Sequence, residues 1–130
     1  MIEPSVDARP TVLLAGGEEL VRRSVRAMLE RTGYRILEAT RGEDAVTISE
    51  EYPDKIDLLV TDVLLPQLTG RELARRATRC RPDLKVVYLS NFNRDEAICT
   101  GLVTPEASLL HKRFIIGDYA CRSHGTFAAA

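Results

Sequence analysis

Short apolar runs alternate along the chain with longer segments in which apolar residues recur at helical spacing. The runs predict buried strands over residues 12–15, 34–39, 56–61, 84–90 and 107–110. The longer segments predict helices over residues 18–31, 42–51 and 70–80, and a weak fourth helix over 93–101. Because strands and helices alternate at a spacing of roughly 20–25 residues, the pattern predicts βαβ units and a doubly wound parallel sheet, an α/β fold.

Individual positions within these elements support that interpretation. The first helix should bury one face, and Gly33 should end it as a C-terminal cap. The third strand reads IDLLVT, which is apolar enough for a strand covered on both faces of the sheet. The residues expected on the buried face of the first helix are Leu20, Val21, Val25, Met28 and Leu29.

The two ends of the chain depart from this rhythm. Residues 1–10 hold two prolines and no periodicity, which indicates a flexible lead-in. The tail has no helical apolar stripe, and Gly117 and Gly125 interrupt it, so a fifth helix is predicted to be missing or atypical. We therefore predict a domain over residues 11–114 and an atypical tail over 115–130. The sheet face left open would be covered by the tail or by a second subunit, as in a homodimer.

Composition narrows the class of protein. The 130 residues carry a net charge of −1 and suit one domain, with nucleic acid disfavoured as the direct partner. No apolar run approaches the ~20 residues of a membrane span, and residues 1–10 do not form a secretory signal. Cys80, Cys99 and Cys121 show no metal-binding spacing. They are interpreted as free thiols, which predicts a cytoplasmic protein.

Candidate chemistry collects at one edge of the predicted sheet. In parallel sheets of this kind, ligands bind at the carboxyl ends of the strands. Those ends carry Gly16 and Gly17, then Asp62, Ser90 and Lys112. A carboxylate, a hydroxyl and an ammonium therefore converge from separate parts of the chain.

The segments VTDVLLPQLTG, KVVYLS and SLLHK resemble, in order and spacing, the receiver domain of two-component response regulators. The resemblance implies a flavodoxin-like five-stranded sheet of order 2-1-3-4-5. It further implies that Asp62 is the phosphoacceptor, Ser90 the switch hydroxyl and Lys112 the phosphate-contacting lysine. The wording of GRELARR and RPDLKVVYLS is similar to receiver modules of hybrid histidine kinases.

The mechanism implied by the resemblance is phosphoryl transfer, not turnover of a substrate, so the chain is not expected to be an enzyme. The carboxylate of Asp62 would attack a phosphohistidine of a histidine kinase or phosphotransfer protein. Mg²⁺ would be held by acidic side chains after the first strand, by Asp62 and by the backbone carbonyl of Leu64. The hydroxyl of Ser90 would then repack the face formed by the fourth helix and fifth strand, where partners bind.

One departure from the family concerns the metal. The acidic pair belongs where this chain has Gly16 and Gly17. Since a unit charge pair at ~4 Å is worth about 4 kcal/mol at an effective dielectric near 20, losing both carboxylates removes several kcal/mol of metal affinity. Mg²⁺ binding is therefore expected to be weak or absent. Glu18 either reaches inward as a substitute ligand or only favours the helix dipole.

Three further departures concern the switch and the access to Asp62. Leu109 stands at the position of the switch aromatic, and Asn91 replaces a small residue after Ser90. Arg113 replaces a proline whose preceding peptide bond is usually cis in the family. Because a cis bond before a non-proline residue costs ~2.5–4 kcal/mol, either the bond bears that cost or Lys112 is re-aimed.

Two functions remain in competition on the sequence. The first is a phosphoaccepting receiver, because Asp62, Ser90 and Lys112 are all present. The alternative is a pseudo-receiver that binds partners with little or no Mg²⁺-dependent phosphorylation. An aspartate-nucleophile phosphatase would need an acid at Leu64, and a glycine-rich nucleotide loop would need glycines at Glu18 and Val21, so both are disfavoured.

Overall fold

The structure is a computed structural model, and it describes residues 9–113, 115 and 117. The strands are β1 (Thr11–Ala15), β2 (Arg35–Ala39), β3 (Leu58–Asp62), β4 (Leu64–Leu65), β5 (Leu68–Thr69), β6 (Lys85–Ser90) and β7 (Ser108–His111). The helices are α1 (Glu19–Arg31), α2 (Gly42–Glu51), α3 (Gly70–Cys80) and α4 (Arg94–Cys99). No helix in this part of the chain is long and apolar enough to cross a bilayer.

Five strands form one parallel sheet in the order β2-β1-β3-β6-β7. This order is the predicted 2-1-3-4-5, because β6 and β7 are the fourth and fifth strands of that sheet. The flavodoxin-like α/β fold predicted from the sequence is therefore confirmed. All five strands run in one direction, so the residues that end them share one edge of the sheet.

The two faces of the sheet bury separate apolar clusters, because successive strand residues point to opposite sides. Leu13 and Ala15 of β1 pack on the side of α2, α3 and α4, and Leu73 of α3 is fully buried there. Val12 and Leu14 pack on the other side, against α1. This two-sided burial explains why the strands read as continuous apolar runs rather than alternating ones.

One residue of α1 was wrongly assigned to its buried face. Leu20 is 51% exposed, whereas Val21 and Val25 are buried and Met28 and Leu29 pack against the cluster. Leu20 lies in the first turn of α1, and the described residues leave about half of it uncovered. Gly33 has the expected role, since it adopts φ +90° just after α1 and its N–H donates to the Glu30 carbonyl.

A two-stranded hairpin between β3 and α3 was not predicted. β4 and β5 pair antiparallel, and the turn between them places Gln67 at φ 68°. The sequence indicated only a loop here, because two-residue strands are too short to show any periodicity. The weak fourth helix is confirmed in shortened form, and Asn93 and Glu96 form a capping box at its start.

The chain continues past β7 into helical conformation at Lys112, Arg113, Ile115 and Gly117. Ile115 is fully buried in the cluster beneath α1, so part of the sheet face expected to be open is covered. The described residues after β7 are thus helical, which favours the atypical helix of that expectation over a missing one. The remainder of the predicted tail, with Cys121, and most of the predicted lead-in lie outside the described residues. Cys80 and Cys99 are free and exposed, as expected.

Candidate functional site

Asp62 is the last residue of β3 and lies at the carboxyl edge of the sheet, only 3% exposed. Its Oδ2 accepts a hydrogen bond from the backbone N–H of Gly17 at 3.2 Å. Its Oδ1 lies 3.1 Å from the Nζ of Lys112. That contact is an ion pair without hydrogen-bond alignment, because Oδ1 accepts no hydrogen bond from the described residues. One carboxylate oxygen is thus fixed by backbone, and the other faces an ammonium.

The ammonium of Lys112 is held from a second side by Glu18. Lys112 follows β7 and its side chain is only 8% exposed, while that of Glu18 is 55% exposed. Nζ donates to Oε1 of Glu18, which stands at the N-cap of α1 and makes no capping bond with its side chain. Glu18 therefore reaches inward, which was one of the two expectations for it. The group that it contacts there is the ammonium of Lys112.

Burial dominates the electrostatics of Asp62. Removal of the carboxylate from water raises the pKa of Asp62, and the positive charge of Lys112 opposes that rise without cancelling it. A nearby negative charge on Glu18 adds to the rise. The ionised form of Asp62 is therefore less stable in the folded protein than in water.

This shift predicts how stability depends on pH. The folded state holds the proton of Asp62 more tightly than the unfolded chain, so stability from this group is present at low pH. It is lost as pH rises from the unfolded pKa of about 3.9 through the raised folded pKa. Asp62→Asn cannot ionise. As pH rises across that window, its free energy of unfolding should therefore increase relative to that of the wild type. Urea denaturation at a series of pH values measures the gain, with the exposed Asp83→Asn as control. A difference that is constant with pH would contradict it.

Ser90 ends β6 at the same edge of the sheet and is fully buried. Its Oγ accepts a hydrogen bond from the N–H of Phe92 at 2.8 Å, so the hydroxyl is engaged in its own loop. None of the hydrogen bonds described for Ser90 joins it to Asp62 or Lys112. Asn91 is exposed, and Leu109 pairs in register with Tyr88 across β6 and β7.

The glycine pair differs in the room that it leaves for side chains. A Cβ on Gly16 would lie 3.2 Å from Oδ2 of Asp62, a tight contact with a charged atom. A Cβ on Gly17 would lie 3.9 Å from its nearest neighbour, the carbonyl oxygen of Thr40, which is ordinary spacing. Gly16 thus permits the close approach of Asp62, whereas Gly17 leaves space that a side chain could fill.

Sequence reasoning missed Arg22 at this edge. Its Nη1 donates to the carbonyl oxygen of Gly16 at 3.1 Å, and its Nε lies 3.6 Å from the carboxylate of Glu38. Arg22 was not among the residues expected on the buried face of α1 or at the carboxyl edge of the sheet. The available signal was its place one helical turn after the N-cap Glu18, which brings a long side chain back over the strand end.

Receiver domains as a family bind Mg²⁺ for phosphorylation, and the donor set here does not fit that ion. The described residues contain no group of three acidic, histidine or cysteine side chains able to hold a metal. Asp62 and Glu18 are the carboxylates that the described residues bring to Lys112, and both contact the same ammonium. Leu64 begins β4 just beyond Asp62 and offers a backbone carbonyl alone. Glu18, the tentative metal ligand, contacts Lys112 in the structure, and its role toward a metal stays a prediction.

The bond after Lys112 is trans, because the described residues contain no cis peptide. The N–H of Arg113 donates to Nδ1 of His111 at 3.0 Å, which closes a tight turn around the lysine. Neither of the two outcomes expected for an arginine at this position is observed, since the bond is trans and bears no cis cost. Lys112 nevertheless reaches Asp62.

Comparison with known proteins identifies this arrangement. The sequence profile described as "Response regulator receiver domain" matches residues 12–118. The chain belongs to the response regulator receiver family. The receiver protein CpdR of Brucella abortus (strain 2308) is 38% identical over 107 residues, which cover 82% of this chain and 88% of that protein. Receiver domains are signalling domains that interact with histidine kinases or phosphotransfer proteins.

Other relatives carry the receiver domain within longer proteins. The sensor kinase CckA of the same organism is 35% identical over 85 residues, which are 65% of this chain and 9% of that protein. The solved receiver domain of the hybrid histidine kinase CckA is 30% identical, with a TM-score of 0.66 over 88% of this chain and 96% of that one. A receiver protein from Sinorhizobium medicae WSM419, at 24% identity, a TM-score of 0.71 and coverage of 88% and 90%, shares the fold.

Proposed function

We propose that this receiver domain accepts a phosphoryl group on Asp62 from a histidine kinase or phosphotransfer protein. The observation that carries the proposal is the pairing of a buried carboxylate with a buried ammonium at the carboxyl edge of the sheet. Oδ2 is fixed by the N–H of Gly17, while Oδ1 faces the ammonium of Lys112 and is the oxygen that would attack phosphorus. The site thus offers an oriented nucleophile beside a positive charge.

The transfer step follows from this geometry. Oδ1 of Asp62 forms a bond to phosphorus as the phosphorus–nitrogen bond of the phosphohistidine breaks. The imidazole nitrogen keeps the electron pair and takes a proton from solvent. The negative charge at the acceptor increases when the carboxylate becomes an acyl phosphate. Lys112 neutralises part of that charge on the phosphoryl oxygens.

The output of the domain is proposed to leave through α4 and β7. Arg94, the first residue of α4, donates through Nη1 to the carbonyls of Pro105 and Ala107, at 3.2 and 2.8 Å. These bonds tie the start of α4 to the segment that leads into β7. When the hydroxyl of Ser90 leaves Phe92 for a phosphoryl oxygen, the loop between β6 and α4 must move, and this face moves with it.

The proposal is tested by intact-protein mass spectrometry after incubation with phosphoramidate, a small phosphorus–nitrogen donor. The wild type should gain one phosphoryl group that is lost on mild alkaline treatment, as acyl phosphates are. Asp62→Asn should gain none, whereas the exposed control Asp83→Asn should react like the wild type. Equal labelling of Asp62→Asn and the wild type would overturn the assignment.

A second candidate is a pseudo-receiver that binds partners without regulated phosphorylation. Gly16 and Gly17 in place of the acidic pair favour it, because the described site lacks a metal cluster. In that case partner binding should be the same for the wild type and Asp62→Asn, and no donor should label either. The mass measurement therefore separates the two candidates.

The setting of the domain is proposed from its relatives. CckA carries its receiver domain as a small share of a sensor kinase, and CpdR is a receiver protein of nearly this length. We infer a cytoplasmic phosphorelay, in which the donor is a histidine kinase or phosphotransfer protein. Pairing of two copies through the sheet face beneath α1 stays a prediction. Ile115 already covers part of that face.

A further inference from the structure

The two carboxylates that remain at the site converge on one ammonium. We propose that Lys112, clasped between Asp62 and Glu18, takes the place that the family gives to the metal ion, so that this site works without Mg²⁺. We call these three residues the clasp. The proposal rests on the proposed function, since it states which positive group stands beside the phosphoacceptor Asp62.

The end of β1 supplies few ligands for a metal ion. Mg²⁺ requires near-ideal octahedral oxygen coordination and is usually bound by one or two carboxylates with substrate phosphates and waters. The family pair is replaced by Gly16 and Gly17, and the carbonyl of Gly16 is engaged by Arg22 at 3.1 Å. Oxygen ligands from the end of β1 are therefore missing or occupied, and a guanidinium has been brought to that end.

Lys112 competes with a metal ion for the same carboxylates. Nζ of Lys112 lies 3.1 Å from Oδ1 of Asp62 and donates to Glu18, with a side chain that is almost wholly buried. Oδ2 of Asp62 is already engaged by the N–H of Gly17. For Mg²⁺ to take Oδ1 of Asp62 and the carboxylate of Glu18, the ammonium would have to lose both partners while it stays in a buried place. An unpaired buried charge is strongly unfavourable, so the lysine holds the site against the ion.

Glu18 holds Lys112 from a second side. It contacts Lys112 and not Asp62 among the described hydrogen bonds and ion pairs, so it acts through the lysine. An ammonium has three donors on a flexible stem, and a partner on its outer side fixes where the charge stands. Glu18 is thus a positioning residue for Lys112 rather than a metal ligand.

The test is a titration of the chain with Mg²⁺, and with Mn²⁺ as a paramagnetic probe, followed by ¹⁵N NMR at the amides of Gly17 and Val63. The wild type should show no saturable change at millimolar ion. Lys112→Met frees both carboxylates and should bind saturably. Adding Glu18→Gln to Lys112→Met should weaken that binding by about tenfold, because one of two charges is lost. The exposed control Lys85→Met should behave like the wild type.

Saturable binding by the wild type as tight as that of Lys112→Met would overturn the clasp. Equal binding by Lys112→Met with and without Glu18→Gln would overturn the role of Glu18. If Lys112→Met does not fold, Glu18→Gln alone gives the answer, since it should leave the wild-type lack of binding unchanged and displace the Asp62 amide resonance. No phosphoryl donor is present, so failure of the proposed function, which is absence of labelling in any buffer, is read separately.

Discussion

Gly70→Ala is expected to lower the free energy of unfolding by about 3 kcal/mol or more, because overpacking against rigid atoms is costly. A Cβ at Gly70 would lie 2.1 Å from the carbonyl oxygen of Asp62 and 3.2 Å from the Cα of Val63. Both neighbours are backbone atoms, so no side-chain rotation relieves the clash. The N–H of Gly70 also donates to the carbonyl of Val63 at 2.9 Å, which fixes the close approach.

Urea denaturation measures this effect, with Gly17→Ala as the matched control. A Cβ at Gly17 has no neighbour closer than 3.9 Å, so the control should stay within about 0.5 kcal/mol of the wild type. Because the clash falls on the backbone of Asp62, the folded fraction of Gly70→Ala should also be labelled poorly by a phosphoryl donor. Wild-type stability of Gly70→Ala would show that α3 does not approach the end of β3 as described.

Gly17→Asp is expected to raise Mg²⁺ affinity by at least tenfold. A new carboxylate close to Asp62 and Glu18 would supply a charge pair worth about 4 kcal/mol at ~4 Å and an effective dielectric near 20. Position 17 has room for the side chain, whereas a Cβ at Gly16 would already be 3.2 Å from Asp62. Gly16→Glu should therefore give less than Gly17→Asp, and the double substitution should gain most of its affinity from position 17.

The neutral and nearly isosteric Gly17→Asn is the control for that measurement. It fills the same space without the charge, so it should bind Mg²⁺ no better than the wild type in a calorimetric or NMR titration. Equal affinity of Gly17→Asp and Gly17→Asn would contradict the view that missing carboxylates at the end of β1 are what weaken this site.

The sheet and its functional edge could be predicted because they depend on regular patterns. Buried parallel strands need apolar runs. Because parallel strands all end at the same edge of the sheet, the residue that follows each run lies at the carboxyl edge. That reasoning placed Asp62, Ser90 and Lys112 on one edge from the sequence alone. Two of them, Asp62 and Lys112, are in contact in the structure, at 3.1 Å.

The contacts that decide how the site works were beyond the same reasoning. Glu18 and Lys112 are 94 positions apart, and an exposed glutamate in a first helical turn looks the same whether it faces solvent or a lysine. Arg22 was not expected at the sheet edge because it is charged. Leu20 was assigned to the buried face because it fits the apolar spacing of α1, although it is half exposed. Such details depend on three-dimensional packing, which periodicity does not record.

The labelling assay carried out in parallel with Mg²⁺ and with a chelator tests the central claim most directly. That claim is that Asp62 is a phosphoacceptor whose positive partner is Lys112, held by Glu18, and not a metal ion. The account predicts the same extent of labelling at Asp62 in the two buffers. Labelling of the wild type that appears with Mg²⁺ and vanishes with the chelator would contradict it.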